Sequence, residues 1–379
     1  MNPQFSLFDL LILIGILQGL ITSTLLLITK KNSRSNLFLG LGLIAFSFLI
    51  SKTLLHTLGL WNTQFFRYFP NGTELVVAPL IYFYIRSLID SQFRFKRKHL
   101  LHFIPFVLSQ IFSFIVYFSV ISVEEFFKKD IIAESMYFNS VKQIEEYLVI
   151  ISIIYYLYAG YSNLKLYRKW LNNTTSDSTF PEFSWLRSIY VFSAIVAAFS
   201  FVNISLDFLF NLRSVSTTHW QAYQIFISFF IYYLGFIGYK QPHFDLIGID
   251  TIPEDSKETI FNSQKDNEIR NALNKALEMD RIFLNPTINL QQVSNLLGVS
   301  QRNLSHIINN SFNKTFRDLI NDHRISEVKL KLIDKDFEHM SILGIALECG
   351  FNSEASFYRI FKKKTGLSPK EFIQRKNRD

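Results

Sequence analysis

The chain has 379 residues, with 39 Lys and Arg against 31 Asp and Glu, one Cys and 40 Phe. It is 49% apolar and only 18% charged, whereas ordinary soluble domains carry about 25% charged residues. The lone Cys349 excludes an intrachain disulfide, and no Cys and His cluster has the spacing of a metal site. Collagenous, disordered and disulfide-stapled classes are excluded, and so is a wholly cytosolic enzyme.

Charge divides the chain into three regions. Residues 1–240 have a net charge of +7, residues 241–267 of −4 and residues 268–379 of +5. The first region holds 30 of the 40 Phe and 16 of the 17 Tyr; the last reads as a soluble, basic, amphipathic domain.

A helix needs roughly 20 apolar residues to cross the hydrocarbon core. Uncharged stretches of suitable length lie at 10–29, 35–51, 99–123, 147–164, 188–206 and 214–239. A shorter one, LVVAPLIYFYI at 75–85, becomes long enough if Arg86 snorkels and the helix runs on to Ile89. This predicts seven spans. The first is too long, and lacks a basic leader and small-residue cleavage site, to be a signal peptide.

Loop charges set the orientation, because Lys and Arg are retained in the cytoplasm. The odd-numbered loops carry Lys30, Lys31, Arg34, Arg94, Lys96, Arg97, Lys98, Lys165, Arg168, Lys169 and Arg187. The even-numbered loops carry only Arg67, Lys128, Lys129, Lys142 and Arg213. The N-terminus is therefore expected outside and everything after Lys240 in the cytoplasm.

Ionisable residues inside spans are functional candidates. Lys52 and Asp207 fall in the outer halves of their spans and mark an ion pair or a polar pocket for a signal; the alternative is that each snorkels to an interface or makes one structural pair. No HExxH, GxSxG or paired-His motif appears. No catalytic residue, cofactor or metal site is expected, and the reading is not that of an enzyme.

Residues 241–267 hold two Pro and no sustained apolar period, which predicts a linker with a reach on the order of 30 Å. In the next helix Ile269, Leu273, Leu277 and, past Asp280, Phe283 form the apolar stripe, with Arg270, Asn274 and Lys275 opposite.

In TINLQQVSNLLGVSQRNLSHIINNSF, Leu290, Val293, Leu296 and Leu297 are expected inside a short helix, and Gly298 permits a tight corner. Ser300 is placed to cap a second helix burying Leu304, Ile307 and Ile308 and presenting Gln301, Arg302, Asn303, Ser305, His306 and Asn309. That is helix-turn-helix spacing with side chains suited to reading base edges.

The pattern returns about 50 residues later, after a helix over Thr315–Leu332. Ile342, Ile345 and Ala346 face inward, Gly350 makes the turn and Phe351 plugs it. The second recognition helix buries Phe357, Ile360 and Phe361 and presents Glu354, Ser356, Arg359, Lys362 and Lys363. The Lys362–Lys364 run suits phosphate contacts, which orient a protein without reading sequence.

IALECGFNSEASFYRIFKKKTGLSP at 345–369 resembles the signature of the AraC/XylS family of bacterial transcription regulators. The resemblance extends over roughly 268–375 and implies a seven-helix, double helix-turn-helix DNA-binding domain. It implies DNA contacts at Arg302, Asn303, His306, Glu354, Ser356, Arg359 and Lys363, with folding or the DNA backbone as the alternative role for Arg359. Val328 departs from the family, which has a small Ala there, and implies looser packing. PLIYFYIRSL at 79–88 and HLLHFIP at 99–105 resemble the seven-span region of a subset of these regulators.

The expected fold is therefore all-α: a seven-helix transmembrane bundle over 1–240, a linker over 241–267 and an AraC-type domain over 268–379. The expected function is a membrane-tethered, one-component regulator in a bacterial inner membrane whose bundle senses a signal. Its partners would be duplex DNA, the lipid bilayer, a small-molecule or membrane-borne signal, a second copy of the chain, and RNA polymerase if it activates. The alternatives are a receptor or transporter whose basic domain binds a protein, a membrane enzyme, and a purely structural DNA tether. Cys349, beside the second turn, reads as a buried thiol rather than a redox switch.

Overall fold

The computed structural model describes residues 5–29, 33–90, 93–176, 186–212, 217–240 and 263–376. Among these the protein is helical, with no strand beyond one isolated backbone bridge. The chain divides into two compact units; the first ends within a helix at Leu164 and resumes afterwards, and the second takes the chain from Lys165 together with the C-terminal helices.

The first unit contains α1 (Leu7–Ile28), α2 (Ser33–Thr57), α3 (Glu74–Ile89), α4 (Ile104–Val120), the short α5 (Phe126–Ser135), most of α6 (Phe138–Thr174), α7 (Leu186–Phe210) and α8 (Thr218–Lys240). α1 starts at a capping box: Ser6 Oγ accepts from the Asp9 amide at 3.2 Å, and the Asp9 carboxylate accepts from the Ser6 amide at 2.9 Å. Small residues let α1 approach its neighbours. A Cβ added at Gly15 would lie 2.8 Å from Ser228 of α8, and the buried Ser23 hydroxyl donates to the Gly40 carbonyl of α2 at 2.8 Å.

The unit buries some polar side chains within its apolar core and exposes many apolar ones. Ser47, Ser113, Ser200 and Asn203 are buried, whereas Leu7, Ile21, Leu108, Phe118, Ile151, Phe201 and Phe229 are exposed. Among the described residues six helices are long and apolar enough to cross a membrane, α4 together with the turn that precedes it from Arg97. The seventh expected span, α3, has 16 residues, a length of about 24 Å against a hydrocarbon core of about 30 Å. Leu75, Phe83, Tyr84, Ile85 and Ile89 of α3 are all buried. Its limits match the reading that carries the span past Arg86 to Ile89, and its neighbours in the bundle cover its side chains.

The second unit contains α9 (Ser263–Glu278), α10 (Leu290–Leu296), α11 (Gln301–Ser311), α12 (Phe316–Ile333), α13 (Ile342–Glu348), α14 (Glu354–Thr365) and α15 (Pro369–Lys376). Of the expected linker, residues 241–262 lie outside the described residues, and Ser263 is already helical. Asn289, Ser300, Thr315, Ser341 and Ser353 each cap the next helix by accepting a main-chain amide, contacts worth about 1 kcal/mol apiece.

Two apolar cores share α12. Phe316, Leu319 and Ile320 join Leu273, Phe283, Val293, Leu304 and Ile308 in one; Ile325, Val328 and Leu332 join Ile345, Cys349, Phe351, Phe357 and Phe361 in the other. Val328 is fully buried in the second core. Leu296 differs from expectation: it is 61% exposed, while Ser294 is buried. At 100° per residue, Leu290, Val293, Ser294 and Leu297 fall on one arc and Leu296 falls outside it.

Candidate nucleic-acid interface

α10 and α11 meet at Gly298, whose φ of 67° lies in the left-handed region with open space where a Cβ would be. α13 and α14 meet at Gly350, with φ 89°. There a Cβ would stand 2.6 Å from the Phe283 carbonyl oxygen and 2.8 Å from that of Leu284. The first corner requires glycine for its dihedral alone, the second for its dihedral and its space.

On α11, Leu304, Ile307 and Ile308 are buried as the spacing predicts. Gln301, Arg302, Asn303, Ser305 and His306 are half-buried, while Asn309 and Asn310 are exposed. The Asn303 amide donates to Ser300 Oγ at 3.2 Å, and Asn310 Nδ2 lies 2.6 Å from His306 Nε2.

On α14, Phe357, Ile360 and Phe361 are buried. Glu354, Arg359, Lys362 and Lys363 are exposed; Ser356 is half-buried, its amide donating to the cap Ser353 at 3.5 Å. Tyr358, absent from the sequence reading, is 38% exposed. It lies between Glu354 and Lys362 at successive four-residue steps, the spacing that could have revealed it.

Lys364 differs from its neighbours in the lysine run. Its ammonium lies 2.6 Å from Asp322 of α12, which also pairs with Lys314 at 2.7 Å. Burial pushes the Asp322 carboxyl up, but the hydrogen bonds from Lys314 and Lys364 outweigh it and hold the group below the usual carboxylate range.

Arg324 went unnoticed in the sequence, yet it is the largest fully buried side chain. Its Nε donates to the Phe283 carbonyl at 2.7 Å and its Nη2 to the Asn285 carbonyl at 2.7 Å. Nη2 also reaches Ser176 Oγ at 3.1 Å. Ser176 Oγ in turn donates to the Ile288 carbonyl at 2.8 Å, and Arg317 Nε donates to the Thr175 carbonyl at 3.1 Å. Residues just past α6 thus complete the first core's edge. A cleft of about 330 Å³ follows, lined by Arg168, Arg317, Arg359 and Lys363.

In the first unit, Lys52 lies 3.9 Å from Glu74. The Asp207 carboxylate is 2.9 Å from His219 Nε2 and accepts from Trp220 Nε1 at 2.8 Å. The two candidate signal residues therefore each have another partner.

Two turn-linked helix pairs, each presenting its second helix and joined by one shared helix, define a double helix-turn-helix protein, a class that binds duplex DNA. Residues 293–375 match the family described as a helix-turn-helix domain. PqrA of Proteus vulgaris, named a probable transcription factor, is 36% identical over 88 residues, covering 23% of this chain and 70% of that protein. The xylose operon regulatory protein of Haemophilus influenzae is 38% identical over 85 residues, 22% of this chain and 21% of that one. An uncharacterized HTH-type transcriptional regulator of Staphylococcus aureus is 32% identical over 117 residues, 31% of this chain and 14% of its own length. The chain thus spans about a fifth or less of two of these relatives, and most of the third. No solved structure matches it. The chain belongs to the AraC/XylS family of helix-turn-helix transcription regulators.

Proposed function

We propose that the protein is a membrane-embedded, one-component transcription regulator. Its helical bundle senses a signal, and its C-terminal unit binds specific DNA at the inner face of a bacterial cytoplasmic membrane. The observation that carries this reading is the joining, in one chain, of six long apolar helices with outward-facing Leu, Ile and Phe to a double helix-turn-helix unit with an exposed basic recognition helix. A soluble protein rarely exposes so much contiguous apolar surface, and with α3 as the seventh crossing the Lys and Arg of the odd-numbered loops favour an outside N-terminus.

Within the DNA-binding unit, Lys362, Lys363 and Arg359 neutralise phosphates, while Glu354, Ser356 and Tyr358 of α14 and Gln301, Arg302, Asn303, Ser305 and His306 of α11 meet base edges. The signal acts by binding two states of the bundle with different affinity, which changes the presentation or pairing of the DNA-binding units.

The test is to cross-link DNA to the full-length protein in cells, recover it from the membrane fraction and map it. Discrete enriched sites with a shared motif, and altered transcription beside them when the gene is removed, are expected. Uniform background recovery would sink the reading.

A further inference from the structure

The end of the bundle where α1 begins contains a polar cavity of about 220 Å³. Lys52, Asn71, Glu74, Lys142, Glu145 and Glu146 line it, with Trp61 and Tyr68 from the loop after α2. Both signs of charge line the cavity, Glu74, Glu145 and Glu146 with Lys52 and Lys142. Two wall atoms have unspent hydrogen-bonding capacity. Lys142 donates to Glu145 Oε2 at 2.8 Å and to Ser113 Oγ at 2.7 Å, leaving Glu145 Oε1 without a partner. Asn71 is only 5% exposed, and its Nδ2 donor has no acceptor. Buried polar groups of this kind are ordinarily hydrogen-bonded, and these two face one cavity.

The occupant must supply a donor with positive charge for Glu145 and an acceptor for Asn71. Lys52, loosely paired with Glu74 at 3.9 Å, offers a cation for the same acceptor. Beyond Glu74 opens an apolar recess of about 70 Å³, walled by Phe46, Ile81 and Val196. We infer that this cavity binds an α-amino acid with an apolar side chain, its ammonium at Glu145, its carboxylate at Asn71 and Lys52, and its side chain in the recess. The inference rests on the sensor reading above and gives that sensor its ligand. α6 lines the cavity with its first turns, and its residues from Lys165 group with the DNA-binding unit.

Full-length protein in nanodiscs is titrated calorimetrically with free L-amino acids one at a time. The decarboxylated amines and N-acetyl derivatives of the same amino acids are run alongside. At least one apolar amino acid is expected to bind, with both analogues weaker by about tenfold or more, the loss that follows from one charge-assisted hydrogen bond. Glu145→Gln and Asn71→Leu should each weaken binding by a similar factor, with Lys52→Met as a further variant if either fails to fold. Binding of no amino acid, equal binding of an amine or an N-acetyl derivative, or wild-type affinity in the folded variants would overturn the inference. DNA occupancy measured with and without the amino acid separates the two claims. Ligand binding that leaves DNA occupancy unchanged removes the sensor reading and keeps the site; a signal response that survives all these variants removes the site and keeps the sensor.

Discussion

Arg324, at the middle of α12, donates from Nε to the Phe283 carbonyl at 2.7 Å. That bond ties the shared helix to the turn after α9, and the same guanidinium lies 5.8 Å from the Phe351 ring of the second motif. One buried cation thus touches both halves of the DNA-binding unit. Arg324→Met would keep the bulk but leave the Phe283 and Asn285 carbonyls without donors. The expected loss is about 3 kcal/mol, read as faster amide hydrogen exchange across α9–α12 in the full-length protein. Unchanged exchange would refute the bolt.

The two corner glycines should respond differently. Gly298→Ala meets open space and bears only the left-handed dihedral, a cost of about 1–2 kcal/mol. Gly350→Ala adds a clash with the Phe283 and Leu284 carbonyls and should abolish DNA binding. Gel-shift assays of both variants decide it; equal effects would contradict the geometry.

Lys362→Ala and Lys363→Ala should weaken binding evenly across DNA sequences and each reduce the salt slope by about one unit. Asn303→Ala should instead change base preference at one position, by about 1–3 kcal/mol. Binding titrations over a range of salt concentrations and a randomised-site selection separate the two behaviours. A change in base preference on removing Lys363 would reassign that residue.

Asp322 links acidity to stability. Its folded pKa lies below its ordinary value, so its contribution is fully present above the unfolded carboxylate pKa and is lost as pH falls through the folded one. Asp322→Asn should flatten the acid limb of the stability curve, measured by thermal unfolding between neutral and strongly acidic pH. An acid limb identical to wild type would show that Lys314 and Lys364 do not hold the group.

Cys349 is fully buried, and burial pushes its thiol pKa up to about 12. Maleimide at pH 8 should leave the folded protein unlabelled and react stoichiometrically once it is denatured, because the thiolate is the nucleophile. Rapid labelling of the folded chain would restore the redox-switch reading.

Much of the fold was legible because its signals are local. Capping residues, corner glycines and three-to-four-residue apolar spacing each act within a turn or two, so α11, α12 and α14 fall where the pattern puts them. Leu296 was misread because a run of leucines conceals which of them lies on the inward arc. The limits of α3 were legible from its apolar run and Arg86, but that its neighbours cover it was not, because cover depends on packing. Lys364 looked like a phosphate ligand until α12 brought Asp322 beside it.

The amino-acid order by itself determined that a block of long apolar helices precedes a basic, doubly repeated helix-turn-helix, since hydropathy and turn chemistry are properties of neighbours in the chain. Only the tertiary structure decided that Arg324 is buried against Phe283 and Ser176, that Lys52 faces Glu74 while Asp207 faces His219, and that Asn71 and Glu145 share a cavity. The reason is physical. Each of these contacts joins side chains from separate segments, and its energy depends on burial and direction, which exist only once the helices have packed.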